Sequence, residues 1–269
     1  MTHAPAAAPI VADNIIATPA EGLREGRSTC RVNADSVPLY YAAPAQGESL
    51  PVVLVVQEIF GLHAYIADTC RRFAHQGYLA IAPDLYFRQG DASHYSDMAQ
   101  LMAELVSKVP DAQVLSDLEG ALHWASQNGG DIGRAGITGF CWGGRITWLF
   151  CAHNPVVRAG VAWYGRLVGA RTELAPRHPV DIAADLKAPV LGLYGGQDTG
   201  IPQDTVVQMQ AALQSAGGAG HGAAADSMIH VYPNAPHAFH ADYRPSYRKA
   251  EAEDGFARAL AWFRDKGVA

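Results

Sequence analysis

Cys141 lies in a setting that is typical of a reactive side chain. It stands between Gly139 and Gly143 in the stretch Gly139-Phe-Cys-Trp-Gly-Gly144, after an apolar run and before a helix-like segment. This is the G-x-S-x-G turn with sulfur in place of oxygen. Glycine neighbours allow a tight turn that exposes the central side chain, and the start of a helix favours a thiolate over a thiol. The pattern predicts a nucleophilic cysteine; the alternative is a small buried apolar residue.

Two further side chains could complete a catalytic group with Cys141. Asp198 follows an apolar run that ends in Gly195-Gly196, and His237 lies in the loop after the run Ile229-His-Val-Tyr232. In one large class of α/β enzymes the chain order is nucleophile, acid and then histidine. Taken alone, Asp198 could cap a helix and His237 could be an ordinary loop residue. Together they predict a base at His237 that is oriented by the Asp198 carboxylate.

His240 is a competing base, and the spacing His237-x-x-His240 also raises the question of a metal site. Two imidazoles at this spacing need a helix to align them and a third ligand to complete the site. The neighbouring Pro236 and the stretch Asp242-Tyr-Arg-Pro245 provide neither. The sequence therefore predicts that no metal is bound here.

The elements that must position these residues alternate between short apolar runs and helical patterns. The run Pro51–Gln57 is apolar at consecutive positions, which is typical of a central strand covered on both faces. This alternation predicts an α/β fold with a mostly parallel central sheet and helices on both faces. Further strands are predicted at Tyr78–Ala82, Ala135–Phe140, Val157–Trp163, Leu186–Leu193 and Met228–Tyr232, and helices at residues 94–107, 111–127 and 143–153, after Pro202 and around Phe256–Phe263.

The N-terminal residues and one later stretch do not follow this alternation of strands and helices. Residues 1–36 begin with a stretch rich in alanine and proline, so we expect an N-terminal arm or edge segment without a role in chemistry. Residues 37–269 are expected to form one α/β domain, because no interdomain linker or internal repeat interrupts them. The low-complexity stretch Ser215–Ala225 is expected to be a flexible surface loop.

Composition and charge restrict the function. The chain has 269 residues, of which 49% are hydrophobic and 17% charged, and its net charge is −6. An acidic chain without a basic run is unlike proteins that bind nucleic acid or anionic membranes. No apolar run approaches the roughly 18 residues of a membrane span. The first residues also do not show the basic and then apolar segments of a secretory signal peptide. We therefore expect a cytoplasmic protein, a small-molecule partner and reduced cysteines.

Four segments together make the chain resemble the dienelactone hydrolase (carboxymethylenebutenolidase) family of α/β-hydrolases. The resemblance covers nearly all of the chain from about residue 37 and implies an α/β-hydrolase fold. It implies Cys141 as nucleophile, His237 as base and Asp198 as the group that orients the imidazole. The segments are Gln57-Glu-Ile-Phe-Gly61, Pro83-Asp-Leu-Tyr-Phe-Arg88, Gly139-Phe-Cys-Trp-Gly-Gly144 and Pro236-His-Ala-Phe239.

The resemblance also gives Glu58 a role and indicates the groups that stabilise negative charge. It implies that Glu58 contacts the cysteine in the resting state and moves away when substrate binds; a salt-bridged loop carboxylate is the alternative. In such folds the residue after the nucleophile and a residue in the loop after a central strand supply backbone N–H groups to the oxyanion. Here these residues are Trp142 and Ile59.

Substrate contacts are predicted at Arg88, Tyr86 and Tyr164. The resemblance implies that Arg88 binds a substrate carboxylate, although a surface arginine is the alternative, and aromatic residues near the strand ends could form the wall of an apolar pocket. Dienelactone-cleaving members of the family have a serine after the histidine and a second arginine further on, where this chain has Ala238 and Ala241. One anion contact is therefore missing, and Arg244 and His240 are the candidates to replace it.

The leading hypothesis is the hydrolysis of a small ester or lactone through a thioester on Cys141, without a cofactor. A carboxylesterase or thioesterase that acts on small acyl compounds with the same triad is a second reading. A redox-sensing or ligand-binding protein on the same scaffold is a third, with Cys141 as an oxidisable thiol. The intact Asp198 and His237 argue against it, because a sensor cysteine needs no oriented base. We expect a monomer or a weak homo-oligomer.

Overall fold

A central sheet of eight strands organises the chain, and the computed structural model describes all of residues 1–269. The last six strands run parallel to one another, and the second strand pairs antiparallel with both the first and the fourth. The strands are β1 (Leu23–Val32), β2 (Asp35–Pro44), β3 (Leu50–Val56), β4 (Leu79–Pro83), β5 (Gly130–Phe140), β6 (Ala159–Trp163), β7 (Val190–Gly195) and β8 (Met228–Tyr232). Their order across the sheet is β1-β2-β4-β3-β5-β6-β7-β8. The predicted α/β class is confirmed.

Helices cover both faces of this sheet. They are α1 (Ala64–Ala74), α2 (Met98–Glu104), α3 (Asp111–Gln127), α4 (Trp142–His153), α5 (Gln203–Gly218), α6 (Gly222–Asp226) and α7 (Lys249–Asp265). On one face α1 packs against α7, since the ring of Phe73 lies 5.0 Å from that of Phe256. The consecutive apolar side chains Val52–Val56 of β3 are fully buried between the two layers, as expected for a central strand.

The strand register places several loops along one edge of the sheet. Val56 is paired with Gly139, Phe140 with Trp163, and Gly195 with Tyr232, so β3, β5, β6, β7 and β8 end close together. Parallel strands present their carboxyl ends at the same edge, where open α/β sheets collect their ligands and catalytic groups. The residues that follow these strands include those selected from the sequence.

The expected N-terminal arm or edge segment contains β1, an edge strand that pairs antiparallel with β2 along its full length. Two local predictions were wrong. The helix expected at residues 94–107 is interrupted, since short 3-10 turns at Ala92–His94 and Val106–Lys108 flank the brief α2. The stretch expected to be a loop at Ser215–Ala225 is mostly helical, because α5 continues to Gly218 and α6 begins at Gly222. The division at residue 36 into an arm and one domain stays a prediction.

Helix length and polarity also bear on membrane insertion. Every helix in the structure is too short or insufficiently apolar to cross a bilayer.

Candidate active site

Cys141 occupies a sharp turn between β5 and α4. Its backbone angles are φ 54° and ψ −114°, which place a non-glycine residue in the sparsely populated left-handed half of conformational space. The Cys141 amide donates to the Trp163 carbonyl at 3.0 Å, so the turn is tied to the adjacent strand β6. The side chain is partly exposed, whereas Cys30, Cys70 and Cys151 are buried. The turn therefore presents this thiol at the start of α4.

The two glycines of the turn are required because backbone passes close to each of them. A Cβ on Gly143 would lie 2.5 Å from the Gln57 carbonyl oxygen and 2.6 Å from that of Val56. A Cβ on Gly139 would overlap the Gly143 carbonyl and lie 2.7 Å from Thr147 Oγ1. These positions therefore accept only glycine without rearrangement of the nucleophile turn.

His237 and Asp198 are joined directly, as the sequence predicts. Nδ1–H of His237 donates to Asp198 Oδ2 at 2.7 Å. The other carboxylate oxygen of Asp198 accepts from the amides of Gly200 at 2.8 Å and Ile201 at 3.0 Å. The Asp198 side chain is fully buried, and the His237 side chain is 36% exposed. The carboxylate therefore fixes the imidazole orientation and leaves Nε2 free for chemistry.

Cys141 and His237 line one cavity and influence each other's charge. Burial alone would lower the pKa of His237, but the negative charge of the Cys141 thiolate and the hydrogen bond to Asp198 raise it to about 10. A pKa above neutrality favours an imidazolium at His237. The arrangement therefore places a proton donor in the same cavity as the Cys141 sulfur.

This coupling predicts the effect of removing the sulfur on the histidine titration. In Cys141→Ala we expect the pKa of His237 to fall below about 10, because the thiolate charge is its largest upward contribution. The folded-state pKa is raised above the ordinary 6.5, so the associated stability is present below about pH 6.5 and is lost as the pH rises through about 10. NMR titration of the His237 ring protons tests both statements. Cys151→Ala is the control, and an unchanged His237 titration in Cys141→Ala would contradict the coupling.

The cavity beside Cys141 has a volume of about 460 Å³ and a mainly apolar wall. Ile59 and Trp142 both line it, and neither amide donates to a backbone carbonyl. Two free N–H groups near a nucleophile could receive the oxygen of an attacked carbonyl group. The apolar wall includes Met98, Met102, Val106, Val109, Leu174 and Ile201.

Glu58 lies at the expected place after β3, but its partners differ from those implied by the resemblance. Its carboxylate is buried and accepts from Nε2 of His63 at 3.1 Å and from the hydroxyl of Tyr243. Burial would raise the pKa of Glu58, but the hydrogen bond and charge of His63, with smaller contributions from Tyr243 and Arg244, lower it instead. No hydrogen bond joins Glu58 to Cys141. The structure therefore shows Glu58 hydrogen-bonded to His63 and Tyr243 rather than to the sulfur.

His63 is in turn contacted by the N-terminal arm. Nδ1 of His63 lies 3.1 Å from Nδ1 of His3, whose ring stacks on Tyr243 at 4.3 Å. Burial, followed by the charge of His63, lowers the pKa of His3 to about 4. The arm, to which no chemistry was assigned, therefore reaches the residues that hold Glu58.

The assignment of Arg88 to substrate binding is corrected by the structure. Its guanidinium donates to both oxygens of Asp117, at 2.8 and 3.0 Å, and to Asp35 at 2.6 Å. Asp117 is fully buried and would be an uncompensated charge without this arginine. Arg88 does not line the cavity. Its role here is to link α3 and β2, because carboxylates from these two elements occupy the hydrogen-bonding edges of its guanidinium.

Of the other residues considered for substrate contact, one lines the cavity and three lie outside it. Tyr164 lines it, with its ring 5.1 Å from that of His237 and a hydroxyl without a partner. Tyr86 is buried behind Trp142 and does not line it. His240 is buried with Nδ1 2.6 Å from the Tyr65 hydroxyl, and Arg244 lies over the Phe60 ring. Neither His240 nor Arg244 therefore replaces the missing anion contact.

Several cavity residues were missed by the sequence analysis. Arg145 and Arg166 line the cavity, as do Met98 and Met102 of α2. Arg166 comes three residues after the end of β6, a position that could have marked it as a site residue. The methionines carried no such signal, because they follow no strand and their short helix resembles any amphipathic segment.

A model of the "Dienelactone hydrolase family" matches residues 37–267. The chain belongs to this family. An Escherichia coli K12 relative in the dienelactone hydrolase family is named "Putative carboxymethylenebutenolidase" and is 55% identical over 98% of this chain and 95% of its own length.

Solved structures of dienelactone hydrolase relatives agree with the fold. The crystal structure of a "Putative Dienelactone Hydrolase" from Klebsiella pneumoniae superposes with a TM-score of 0.87 at 56% identity, covering 90% of this chain and 98% of that one. A "Dienelactone Hydrolase-like Promiscuous Phospotriesterase P91" from metagenomic libraries superposes with a TM-score of 0.74 at 19% identity, covering 91% and 99%, and shows the fold alone. The chain is therefore a hydrolase of the dienelactone hydrolase type with the α/β-hydrolase fold.

Proposed function

We propose that this chain hydrolyses small carboxylic esters or lactones through a covalent thioester on Cys141. The observation that supports this most is the 2.7 Å hydrogen bond between His237 and Asp198 beside a cysteine on a strained turn at a helix N-terminus. The three groups follow β5, β7 and β8, whose carboxyl ends share one edge of the sheet. A nucleophile, a base and a group that orients the base satisfy the requirements of acyl transfer.

In the proposed first half-reaction, the Cys141 thiolate attacks the carbonyl carbon and forms a carbon–sulfur bond. The carbonyl oxygen gains the electron pair and is stabilised by the amides of Ile59 and Trp142. The intermediate then collapses, the bond to the alcohol oxygen breaks, and the His237 imidazolium donates its proton to that oxygen. An alcohol leaves from an ester, whereas a lactone ring opens and its hydroxyl stays attached to the acyl group.

The proposed second half-reaction reverses these roles with water. Neutral His237 removes a proton from water, and the resulting hydroxide attacks the thioester carbonyl. The carbon–sulfur bond breaks, the acid is released, and the thiolate and imidazolium are restored. Asp198 keeps Nδ1 of His237 protonated throughout, so that Nε2 can accept and donate the proton. No cofactor takes part.

Two further residues are proposed to support these steps. Burial, followed by the charge of Glu58, raises the pKa of Tyr164 well above its ordinary value, so this phenol stays neutral in the wall of the cavity. Glu58, hydrogen-bonded to His63 and Tyr243, acts on the site only through its negative charge. It neither accepts nor donates a proton in these steps. The cytoplasmic location and the monomeric or weakly associated state stay predictions of the sequence.

Trapping the acyl-enzyme tests the proposal directly. We expect intact mass spectrometry after brief mixing with 4-nitrophenyl acetate, an acyl thioester or cis-dienelactone to show one added acyl group on Cys141 for each true substrate, because the thioester precedes hydrolysis. Peptide mapping identifies the modified residue, and Cys141→Ala is the blank. Turnover without an adduct that depends on Cys141 would refute the covalent route. Adduct formation from only one of the three compounds would identify the preferred acyl donor.

A further inference from the structure

The beginning of the N-terminal arm is tied to two elements of the domain. It lies outside residues 37–267, which the family model matches. The Val11 amide donates to the Tyr243 carbonyl at 2.9 Å, and the amide and hydroxyl of Thr18 donate to Asp68 at 2.7 and 3.0 Å. These hydrogen bonds attach the arm to the loop after β8 and to α1.

His63 has a hydrogen-bonding partner at each ring nitrogen, and one of these partners belongs to the arm. Its Nε2 lies 3.1 Å from Glu58 Oε1, and its Nδ1 lies 3.1 Å from Nδ1 of His3. Burial, followed by the charge of His63, lowers the pKa of His3 to about 4, so His3 is neutral near neutral pH and its Nδ1 can accept a hydrogen bond. The His3 ring also stacks on Tyr243, with the ring centroids 4.3 Å apart. His63 therefore donates to Glu58 while the arm fixes the rotation of its ring.

Glu58 lies between two backbone positions that adjoin the nucleophile. The carbonyl oxygen that precedes it packs on the nucleophile turn, since a Cβ on Gly143 would lie 2.5 Å from this oxygen. The residue that follows it, Ile59, lines the cavity together with Cys141. Burial, followed by the charges of Glu58 and then of Cys141, raises the pKa of Tyr164, so one phenol lies within electrostatic range of both groups. A Glu58 carboxyl released from its partners would therefore remain near the sulfur.

We propose that His63 and His3 are positioning residues for the Cys141 thiol. His3 orients the His63 ring, and His63 holds the Glu58 carboxyl beside Tyr243 and apart from the sulfur. Without this hold the carboxyl would hydrogen-bond to the sulfur. As a carboxylate it would repel the thiolate, and as an acid it would donate a hydrogen bond to it, so the sulfur is the weaker nucleophile in both cases. This inference rests on the proposed function, because it concerns the nucleophile of the same reaction.

The rate at which iodoacetamide alkylates Cys141 tests this positioning, with intact mass as the readout. We expect His63→Phe to lower this rate by about 10-fold near neutral pH, the size of a lost hydrogen bond to a charged group. His3→Phe keeps a ring on Tyr243 and should lower it by about 3-fold, since it removes one weaker hydrogen bond. His63→Gln should retain more of the wild-type rate than His63→Phe, because its amide N–H can still donate to Glu58. An unchanged rate in His63→Phe would overturn the proposal.

A double-mutant cycle separates positioning through Glu58 from a general structural effect. In a Glu58→Gln background the side chain at position 58 is a neutral amide, so no carboxyl can be released onto the sulfur. We expect His63→Phe to change the alkylation rate by less than about 2-fold in this background. An equal fall in both backgrounds would show that His63 supports the fold without acting through Glu58, and the proposal would fail. The His63 side chain makes no capping hydrogen bond to α1, so its replacement removes no helix cap.

His75→Phe is the matched control. His75 follows α1 and also contacts the arm, with Nε2 2.8 Å from the Pro19 carbonyl oxygen, but it is no partner of Glu58. Its replacement should leave the alkylation rate at the wild-type value, and a fall equal to that in His3→Phe would contradict the specific role of His3. Alkylation needs no ester hydrolysis. If the cycle shows coupling but no ester is cleaved, the proposed function fails and the positioning stands. If esters are cleaved and the cycle shows no coupling, only the positioning fails.

Discussion

Replacing Cys141 with alanine is expected to lower kcat for ester hydrolysis by about 10⁴-fold or more, the scale seen when a covalent nucleophile is removed. The variant keeps the cavity, the oxyanion donors and the His237–Asp198 pair, but it has no atom that can form the acyl bond. Its fold should be unaffected, since a small side chain at the cavity surface is replaced by a smaller one. Steady-state kinetics with 4-nitrophenyl acetate, together with thermal unfolding, measures both quantities.

The matched control for this experiment is Cys151→Ala. Cys151 lies on the same helix, α4, but it is fully buried, and burial raises the pKa of its thiol far above the ordinary value. Removing it should leave kcat near the wild-type value, with a small loss of stability from the cavity that it leaves. Comparable activity in Cys141→Ala and wild type would show that another group attacks the ester.

The second large effect is expected for Gly143→Ala. Its Cβ would lie 2.5 Å from the Gln57 carbonyl oxygen and 2.6 Å from that of Val56, both fixed by the central strand β3 and the residue after it. The nucleophile turn must therefore move away from the loop that holds Ile59. A displacement of about 1 Å at a reacting group can cost about 100-fold in rate. We expect a loss of kcat of at least this size and a fall of about 1–3 kcal/mol in the free energy of unfolding, as for other overpacked sites.

Kinetics and urea denaturation of Gly143→Ala should be compared with those of Gly218→Ala. A Cβ on Gly218, near the end of α5, meets no atom within 4 Å. This control should retain full activity, and its stability should equal or slightly exceed that of the wild type because alanine is the better helix former. Wild-type kcat in Gly143→Ala would show that the oxyanion loop tolerates the shift and that the turn is less constrained than its contacts indicate.

The features that could be predicted from sequence are those set by local chain geometry. The glycines around Cys141 specify a sharp turn through the absence of side chains, and this constraint is visible in six consecutive letters. Asp198 and His237 each follow a strand, so the parallel sheet alone places them at the same edge as Cys141. Their contact follows from topology, and the structure places the two side chains 2.7 Å apart.

The residues whose partners are distant in sequence could not be placed in this way. Glu58 is bound by Tyr243, and Arg88 by Asp117, which lie far away along the chain. A motif identifies the residue type that follows a strand, but it does not show which oppositely charged or hydroxyl side chain reaches that residue first. An arginine after a strand can bind a carboxylate of the protein as readily as one of a substrate. The local sequence therefore does not show that Arg88 is paired outside the cavity whereas Arg166 lines it.

The missed secondary structure has a related cause. β1 contains Arg24, Glu25, Arg27 and Arg31 along with Leu23, Cys30 and Val32, because an edge strand buries few of its residues. Its hydrophobic alternation is therefore weak, and its hydrogen bonds to β2 determine its conformation. The glycines near the end of α5 were interpreted as a loop, although the alanines between them favour helix and the packing of α6 against α5 outweighs the cost of the glycines.

The construction of the cavity also has a consequence for how substrate range can diverge within the family. On the side of the nucleophile, backbone touches backbone at Gly139, Gly143, Gly144 and Gly165, so nearly every replacement there disturbs the turn. Another part of the wall consists of side chains from α2 and from the segment that contains Leu174, which can be exchanged without moving the peptide backbone. New selectivities should therefore accumulate on this part of the wall, and mutant libraries confined to it should keep a working thiol while they change which acids are released.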